Sequence, residues 1–204
     1  MFLDEMPEFS RRSLEILRQP LEDKVIRISR VYGTYDFPAD FMLCAAMNPC
    51  PCGHYPDMNR CRCTPAQVMQ YLGRISQPLL DRLDLCAEVS PVDFEGLSSG
   101  RKGESTQTIR ERVICAQDIQ RERYKIEGIQ FNGELSGAQI EKYCKMEKDA
   151  RQLLKMAFQN MSFSARAYHR ILKVARTIAD MEATESIHRH HIAEALSYRA
   201  FDKK

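Results

Sequence analysis

The sequence predicts an α/β fold, a partial parallel sheet with a β-hairpin insertion, followed by an all-α bundle. Three observations predict it. Apolar runs at 1–3 and 41–47 end in Asp4-Glu5 and Asn48-Pro49, a β-rich pair of segments straddles Gly33, and everything beyond a Gly/Ser-rich stretch has helical periodicity.

Each element has its own signal. An apolar run closed by Asp4-Glu5 lets a buried parallel strand deliver two carboxylates at its C-terminal edge, one to hold magnesium and one to polarise an attacking water. On those five residues alone the plainer reading, a strand ending in acids on its way into a helix, stands ahead. Leu14, Leu17 and Leu21 then have helical spacing, which ends near Pro20 to Asp23. Residues 25–31 and 34–37 form the hairpin around Gly33. The run 41–47 fits a strand buried on both faces, 83–89 is a second of the same kind, and a helix over 65–75 lies between them. Residues 96–105 are the linker. Beyond it, Thr108 and Glu111 have capping-box spacing, as do Ser136 and Gln139. Stripes at Ile109, Val113 and Ala116, at Ala150, Leu153, Leu154, Ala157 and Phe158, at Ile171, Val174, Ala175 and Ile178, and at Ile192, Ala195 and Leu196 are the expected helical core.

Composition narrows the function. With 204 residues, 44% of them apolar, the chain can bury a real core. Thirty basic and 28 acidic residues leave a net charge of +2, too small for bulk attraction to DNA or membranes, so any nucleic-acid surface must be local. The N-terminus is acidic and no apolar run approaches ~20 residues, which makes the cytoplasm the expected location, with no membrane partner. Eight cysteines in a cytosolic protein then need a reason other than disulfides. Cys50-Pro51-Cys52 and Cys61-Arg62-Cys63 are two C-x-C pairs on one short stretch, and four thiolates there can close a tetrahedral Zn²⁺ site, with His54 as a substitute ligand. The rival reading is a loop of reduced thiols. A site with four protein ligands has no open position, so a zinc held there is structural. No G-x-x-x-x-G-K-[ST] loop is present to cradle phosphates.

In this order the elements resemble the AAA+ ATPases of the magnesium-chelatase and MCM-helicase branch, over essentially the whole chain. The resemblance rests on Asp4-Glu5, the hairpin, Ala45-Ala46-Met47-Asn48-Pro49, Pro78-Leu79-Leu80-Asp81-Arg82-Leu83-Asp84 and Ser164-Ala165-Arg166. The run from Asn48 to Gly53 followed by Gly73-Arg74-Ile75-Ser76 is similar to the ComM/YifB competence-protein family in particular. The resemblance implies the C-terminal part of an AAA+ P-loop ATPase core over 1–95, the linker over 96–105 and an all-α helical lid over 106–204. It implies ATP and Mg²⁺ as cofactors, with Asp4 on the magnesium, Glu5 activating water, Asn48 as a sensor, Arg82 as an arginine finger toward a neighbouring subunit and Arg166 as the second sensor. Arg170, four residues later on the same helical face, competes with Arg166 for that role. The plainer reading of Arg82 is an ion-pair partner for a nearby acid, worth at most ~1 kcal/mol at a surface. Lys24, Arg27 and Arg30, beside Tyr32 and Tyr35, would track nucleic acid in the pore of a ring; the rival is a solvated edge hairpin.

Family members carry an S5-like domain and a phosphate loop ahead of the position of Met1, so the polypeptide is expected to be a fragment, inactive without that loop. The parent is expected to be a ring-forming homo-oligomer, a hexamer, that hydrolyses ATP and translocates or remodels DNA in recombination or natural transformation. Two alternatives stand beside it: a chelatase motor subunit that drives metal insertion into a tetrapyrrole, and a non-enzymatic zinc-binding interaction module.

Overall fold

A short strand, β1 (Phe2–Leu3), pairs in parallel with β4 (Cys44–Ala45) in the computed structural model, which describes residues 1–90, 94, 98, 103–161 and 163–199. The chain divides into two units, Met1–Leu83 and Asp84–Lys204.

In the first unit the parallel ladder is carried by Cys44 N–H to Met1 O at 2.9 Å, Ala46 N–H to Leu3 O at 2.9 Å and Met6 N–H to Ala46 O at 3.0 Å. A single 3₁₀ turn, Met6–Glu8, leads into α1 (Arg11–Ile16), capped by the Ser10 hydroxyl, which accepts from Ser13 N–H at 3.1 Å. The helix expected around Leu14 and Leu21 is two helices, since α2 (Arg18–Asp23) restarts after Leu17. Pro20 lies in the first turn of α2, where a missing N–H leaves no helical bond unmade. The hairpin forms as expected from β2 (Val25–Arg30) and β3 (Gly33–Pro38), with Arg27 opposite Asp36 and Ile28 opposite Tyr35. Helix α3 (Pro65–Leu72) starts on a Thr64–Gln67 capping box, and Ser76 caps the single turn α4 (Gln77–Leu80). Met6, Leu14, Ile75 and Leu79 form a small core, flanked by Leu3, Leu17, Leu21, Met47 and Leu80.

Two strand expectations need correction. The run 41–47 gives only two strand residues, and Met42 is 84% exposed, because among the described residues β4 pairs with β1 alone and no second layer covers its faces. Residues 83–89 form no strand. Leu85 and Val89 are exposed, and the Cys86 N–H goes to Tyr198 O at 2.9 Å rather than to a ladder.

The second unit is helical: α5 (Thr106–Tyr124), α6 (Gly137–Tyr143), α7 (Lys148–Met161), α8 (Ala165–Met181) and α9 (Arg189–Ser197). Helix α8 is its centre. Of the expected stripe, Ile171, Ala175 and Ile178 pack in one cluster with Tyr124, Ile140, Ala150, Leu154, Ile192 and Ala195, with Val174 against it; Leu172 and Ala179 join the cluster beyond that stripe. The α5 stripe is buried only in part, since Ile109 and Val113 remain exposed while Ala116 is buried. Thr108 does not cap α5. Ser105 does, accepting from Thr108 N–H at 3.1 Å, whereas the Ser136–Gln139 box forms as the spacing predicts. Of the expected linker 96–105, all but residues 98 and 103–105 lies outside the described residues. Among the described residues no helix is long and apolar enough to cross a membrane.

Candidate functional site

Parallel pairing of β1 and β4 gives both strands the same C-terminal edge, and Asp4 and Glu5 leave it beside Asn48. All three are exposed. Glu5 stands in the left-handed region at φ 49° and ψ 46°, which a side-chain-bearing residue adopts only at a cost of about 1–3 kcal/mol. Its own N–H donates to Asp4 Oδ1 at 3.0 Å, and the next N–H, of Met6, returns to β4. The carboxylate of Glu5 is thus presented on a sharp turn at the strand tip.

Tyr71 supports this edge and was not singled out from the sequence. It is buried on α3, with its hydroxyl beside the backbone N–H of Asn48. Burial, then the charges of Glu8 and Glu5, push the phenol up, so it stays protonated. The available signal was Val68 and Tyr71 at helical spacing, the second carrying a hydroxyl that needs a partner once buried.

The four cysteines of the C-x-C pairs come together. Cys50 Sγ lies 3.4 Å from Cys52 Sγ and 3.8 Å from Cys61 Sγ, Cys52 and Cys61 are 3.6 Å apart, and all four sulfurs, Cys63 included, fall within 4.8 Å of one another. A tetrahedral cation about 2.3 Å from each sulfur needs sulfurs about 3.8 Å apart. Backbone amides point at the cluster, with Tyr55 N–H on Cys50 Sγ at 3.4 Å. The N–H groups of His54 and Arg62 bring the Cys52 thiol down to about 6. Partial burial and the neighbouring thiols push Cys63 up to about 12. Cys52 is thus favoured to ionise before Cys63, and a divalent cation would displace the protons that remain. His54 is not one of the converging ligands.

Arg82 does not stand free at an exposed edge, as a trans-acting finger would. Its side chain is 8% exposed, donates through Nε to Arg18 O at 3.1 Å and through Nη1 to Pro78 O at 2.6 Å, and pairs with Glu22. That geometry straps α4 to α2 within its own unit. In the second unit Arg166 is exposed near the start of α8, while Arg170 is tied to Asp84.

The hairpin is two-sided. One face carries the bidentate Arg27–Asp36 pair at 2.7 and 2.8 Å; the other carries Ile26, Ile28, Tyr35 and Phe37, all exposed. Lys24 pairs with Asp40 at 3.0 Å. Arg30 has no ion pair among the described residues, and at the tip Val31 and Tyr32 are almost fully exposed.

A second metal-like cluster, Glu182, His190 and His191, lies in the helical unit. Its hydrogen bonds oppose metal binding. His191 Nδ1 accepts from His188 N–H at 2.9 Å, so the ring proton sits on Nε2 and points at Glu182 at 2.9 Å. A metal on Nε2 would force that proton onto Nδ1, against the His188 N–H.

Comparison with known proteins completes the description. Residues 1–97 match the family described as magnesium chelatase, subunit ChlI, and residues 103–199 match the magnesium chelatase, subunit ChlI C-terminal family. The chain is 46% identical to the uncharacterized protein YifB of Salmonella typhimurium over all of its own length and 39% of that protein's. It is 46% identical to the competence protein ComM of Haemophilus influenzae over 98% of its length and 38% of the relative's. It is 38% identical to the uncharacterized protein Mb2921c of Mycobacterium bovis over 98% of its length and 39% of the relative's. The chain thus spans about two-fifths of the length of these relatives.

Proposed function

This chain belongs to the magnesium-chelatase-like family, in its ComM/YifB branch, and we propose that it forms part of a ring-shaped AAA+ ATPase that moves or remodels DNA. The observation that carries the proposal is the shared edge of β1 and β4, where two exposed carboxylates stand beside a neutral amide. That donor set suits a hard cation that keeps most of its water, and its exposure imposes no desolvation cost on the acids. Magnesium, when bound with ATP, neutralises charge on the phosphates.

The chain's own residues would do the rest. Asp4 would hold the cation through water. Glu5 would take the proton of the attacking water, and Asn48 would orient that water or the terminal phosphate by hydrogen bonding without adding charge. Arg166, exposed at the head of α8, is the arginine proposed to couple the helical unit to nucleotide. Arg82 is a strap in the present arrangement, and a trans role requires exchange of Glu22 for a neighbour's phosphate. The four sulfurs would hold one structural zinc, and the hairpin would offer Arg30 and Tyr32 to nucleic acid.

The decisive experiment uses the intact protein that carries this chain. Glu5→Gln should keep ATP binding and lose DNA-stimulated hydrolysis and branch migration by about 10²-fold or more. Wild-type turnover by that variant overturns the assignment. Mixing Glu5→Gln with Arg82→Ala subunits tests the exchange, because only a trans-acting Arg82 restores hydrolysis at interfaces that carry neither lesion.

A further inference from the structure

The cysteine knuckle and the acidic edge are joined through one side chain. We propose that metal bound by Cys50, Cys52, Cys61 and Cys63 fixes the position of the Asn48 amide, so that the metal site regulates the nucleotide edge. The inference rests on the zinc and sensor readings above, and its geometry is independent of either.

Asn48 precedes Cys50 by two residues. The chain turns at once, with Gly53 N–H donating to Cys50 O at 3.0 Å, and this turn lays Gly53 against the Asn48 amide. A methyl group built on Gly53 would touch Asn48 Cγ and Oδ1 at 3.9 Å. Gly53 has φ +80°, a conformation that glycine alone adopts without strain. On the far side of the loop, Cys63 is followed directly by Thr64, the N-cap of α3, and α3 carries the Tyr71 hydroxyl that faces the Asn48 backbone. The four ligands therefore tie together the two segments that hold Asn48.

The loop has backbone turns of its own, such as Asp57 N–H to His54 O at 2.9 Å and Cys61 N–H to Asp57 O at 2.7 Å, but little apolar burial. Residues 51–60 are all exposed, and of the knuckle only Cys50 is buried. A segment without an apolar anchor gains its order from the metal, because ligand binding free energy then becomes folding free energy. With metal bound, the turn at Gly53 stays near the Asn48 amide and the start of α3 keeps Tyr71 beside the Asn48 backbone. With metal removed, both neighbours are free to move.

The test uses the 204-residue chain loaded with zinc, with metal content read by elemental analysis and the Asn48 side-chain amide followed by ¹⁵N–¹H NMR. Stripping zinc with a chelator should shift or broaden the Asn48 amide pair severalfold beyond any change at the Leu14 and Leu79 methyls. A stoichiometric zinc whose removal leaves the Asn48 amide unmoved overturns the coupling and spares the metal reading. Absence of bound zinc overturns both. Should stripping also collapse the Leu14 and Leu79 methyls, the reciprocal measurement decides, since it needs no zinc-free fold. Linkage requires Asn48→Ala to weaken zinc affinity by the factor with which zinc orders Asn48, about fivefold or more by chelator competition. An affinity within about twofold of wild type overturns the proposal.

Discussion

Asp180 and Asp4 both lie at the C-terminal end of a secondary-structure element, and the two units treat them in opposite ways. Asp180 is buried and meets Arg123 Nη1 at 2.9 Å, Asn132 Nδ2 at 2.9 Å and Arg176 Nε at 3.1 Å, while Arg176 is itself fully buried. Asp4 is exposed and accepts from the N–H of Glu5. The helical unit thus uses its charge to specify packing. The α/β unit leaves Asp4 and Glu5 at its strand edge exposed and buries mostly apolar groups, with Tyr71 and Cys50 as the polarisable exceptions. A buried, fully paired carboxylate has no capacity left for chemistry; an exposed one beside a neutral amide does.

Four substitutions test this contrast, in falling order of effect. Asp180→Ala leaves two guanidinium groups unpaired in the core and should cost about 3–5 kcal/mol in chemical denaturation, whereas Asp4→Ala should stay within about 0.5 kcal/mol of wild type. Similar losses from both would erase the contrast. Leu79→Ala removes a fully buried side chain from the small first core and should cost about 2–5 kcal/mol, with NMR showing early loss of the α/β methyls while those of α8 hold. Simultaneous loss in both units would show one cooperative block. Arg82→Ala strands the Arg18 and Pro78 carbonyls and should cost about 1–3 kcal/mol, and an unchanged midpoint would remove the strap.

The smallest effect concerns acid. Lys142, Tyr143 and Gln139 bring Glu127 down to about 2 from 4.5. Its folded value is depressed, so its stabilisation is present above about pH 4.5 and is lost as pH falls toward 2. Glu127→Gln should therefore lower helical-unit stability at neutral pH, by an amount that solvent screening keeps small, and converge with wild type toward pH 2, so that the acid limb followed by circular dichroism between pH 5 and about 2 is flatter. An acid limb as steep as wild type would assign the sensitivity elsewhere.

Much of this was legible in the sequence where one local rule decides. The hairpin followed from two β-rich segments around Gly33, the α8 stripe from helical spacing, and the Ser136 box from its own four residues. The cysteine pairs were legible because a four-thiol set on one loop has few other arrangements. What failed depended on partners distant in the chain. The runs 41–47 and 83–89 have strand composition, yet strand formation needs a neighbour, and only Cys44–Ala45 finds one. The Arg82 finger is not among these failures and stays a proposal, but its partners Glu22 and the Arg18 carbonyl, far away in sequence, were equally out of reach of local reading. Thr108 lost the cap because the helix starts three residues earlier, on Ser105, which leaves Thr108 within the first turn. Tyr71 had a burial signal in its spacing from Val68, but nothing in its neighbours announces Asn48 as its partner.

The internal pairing of the hairpin has a thermodynamic consequence for the proposed DNA contact. Lys24 and Arg27 already hold Asp40 and Asp36, so on meeting a phosphate backbone they displace few condensed counterions without first giving up those partners. Arg30 remains, the one hairpin cation without an ion pair among the described residues, with Val31 and Tyr32 at the tip. Counterion release scales at about 0.7 per phosphate neutralised on a single strand, so each hairpin adds only about that much to the logarithmic salt slope. In a ring these small terms add: six tips engaged at once would give a slope of about 4, so the salt dependence of DNA affinity would count the subunits in contact.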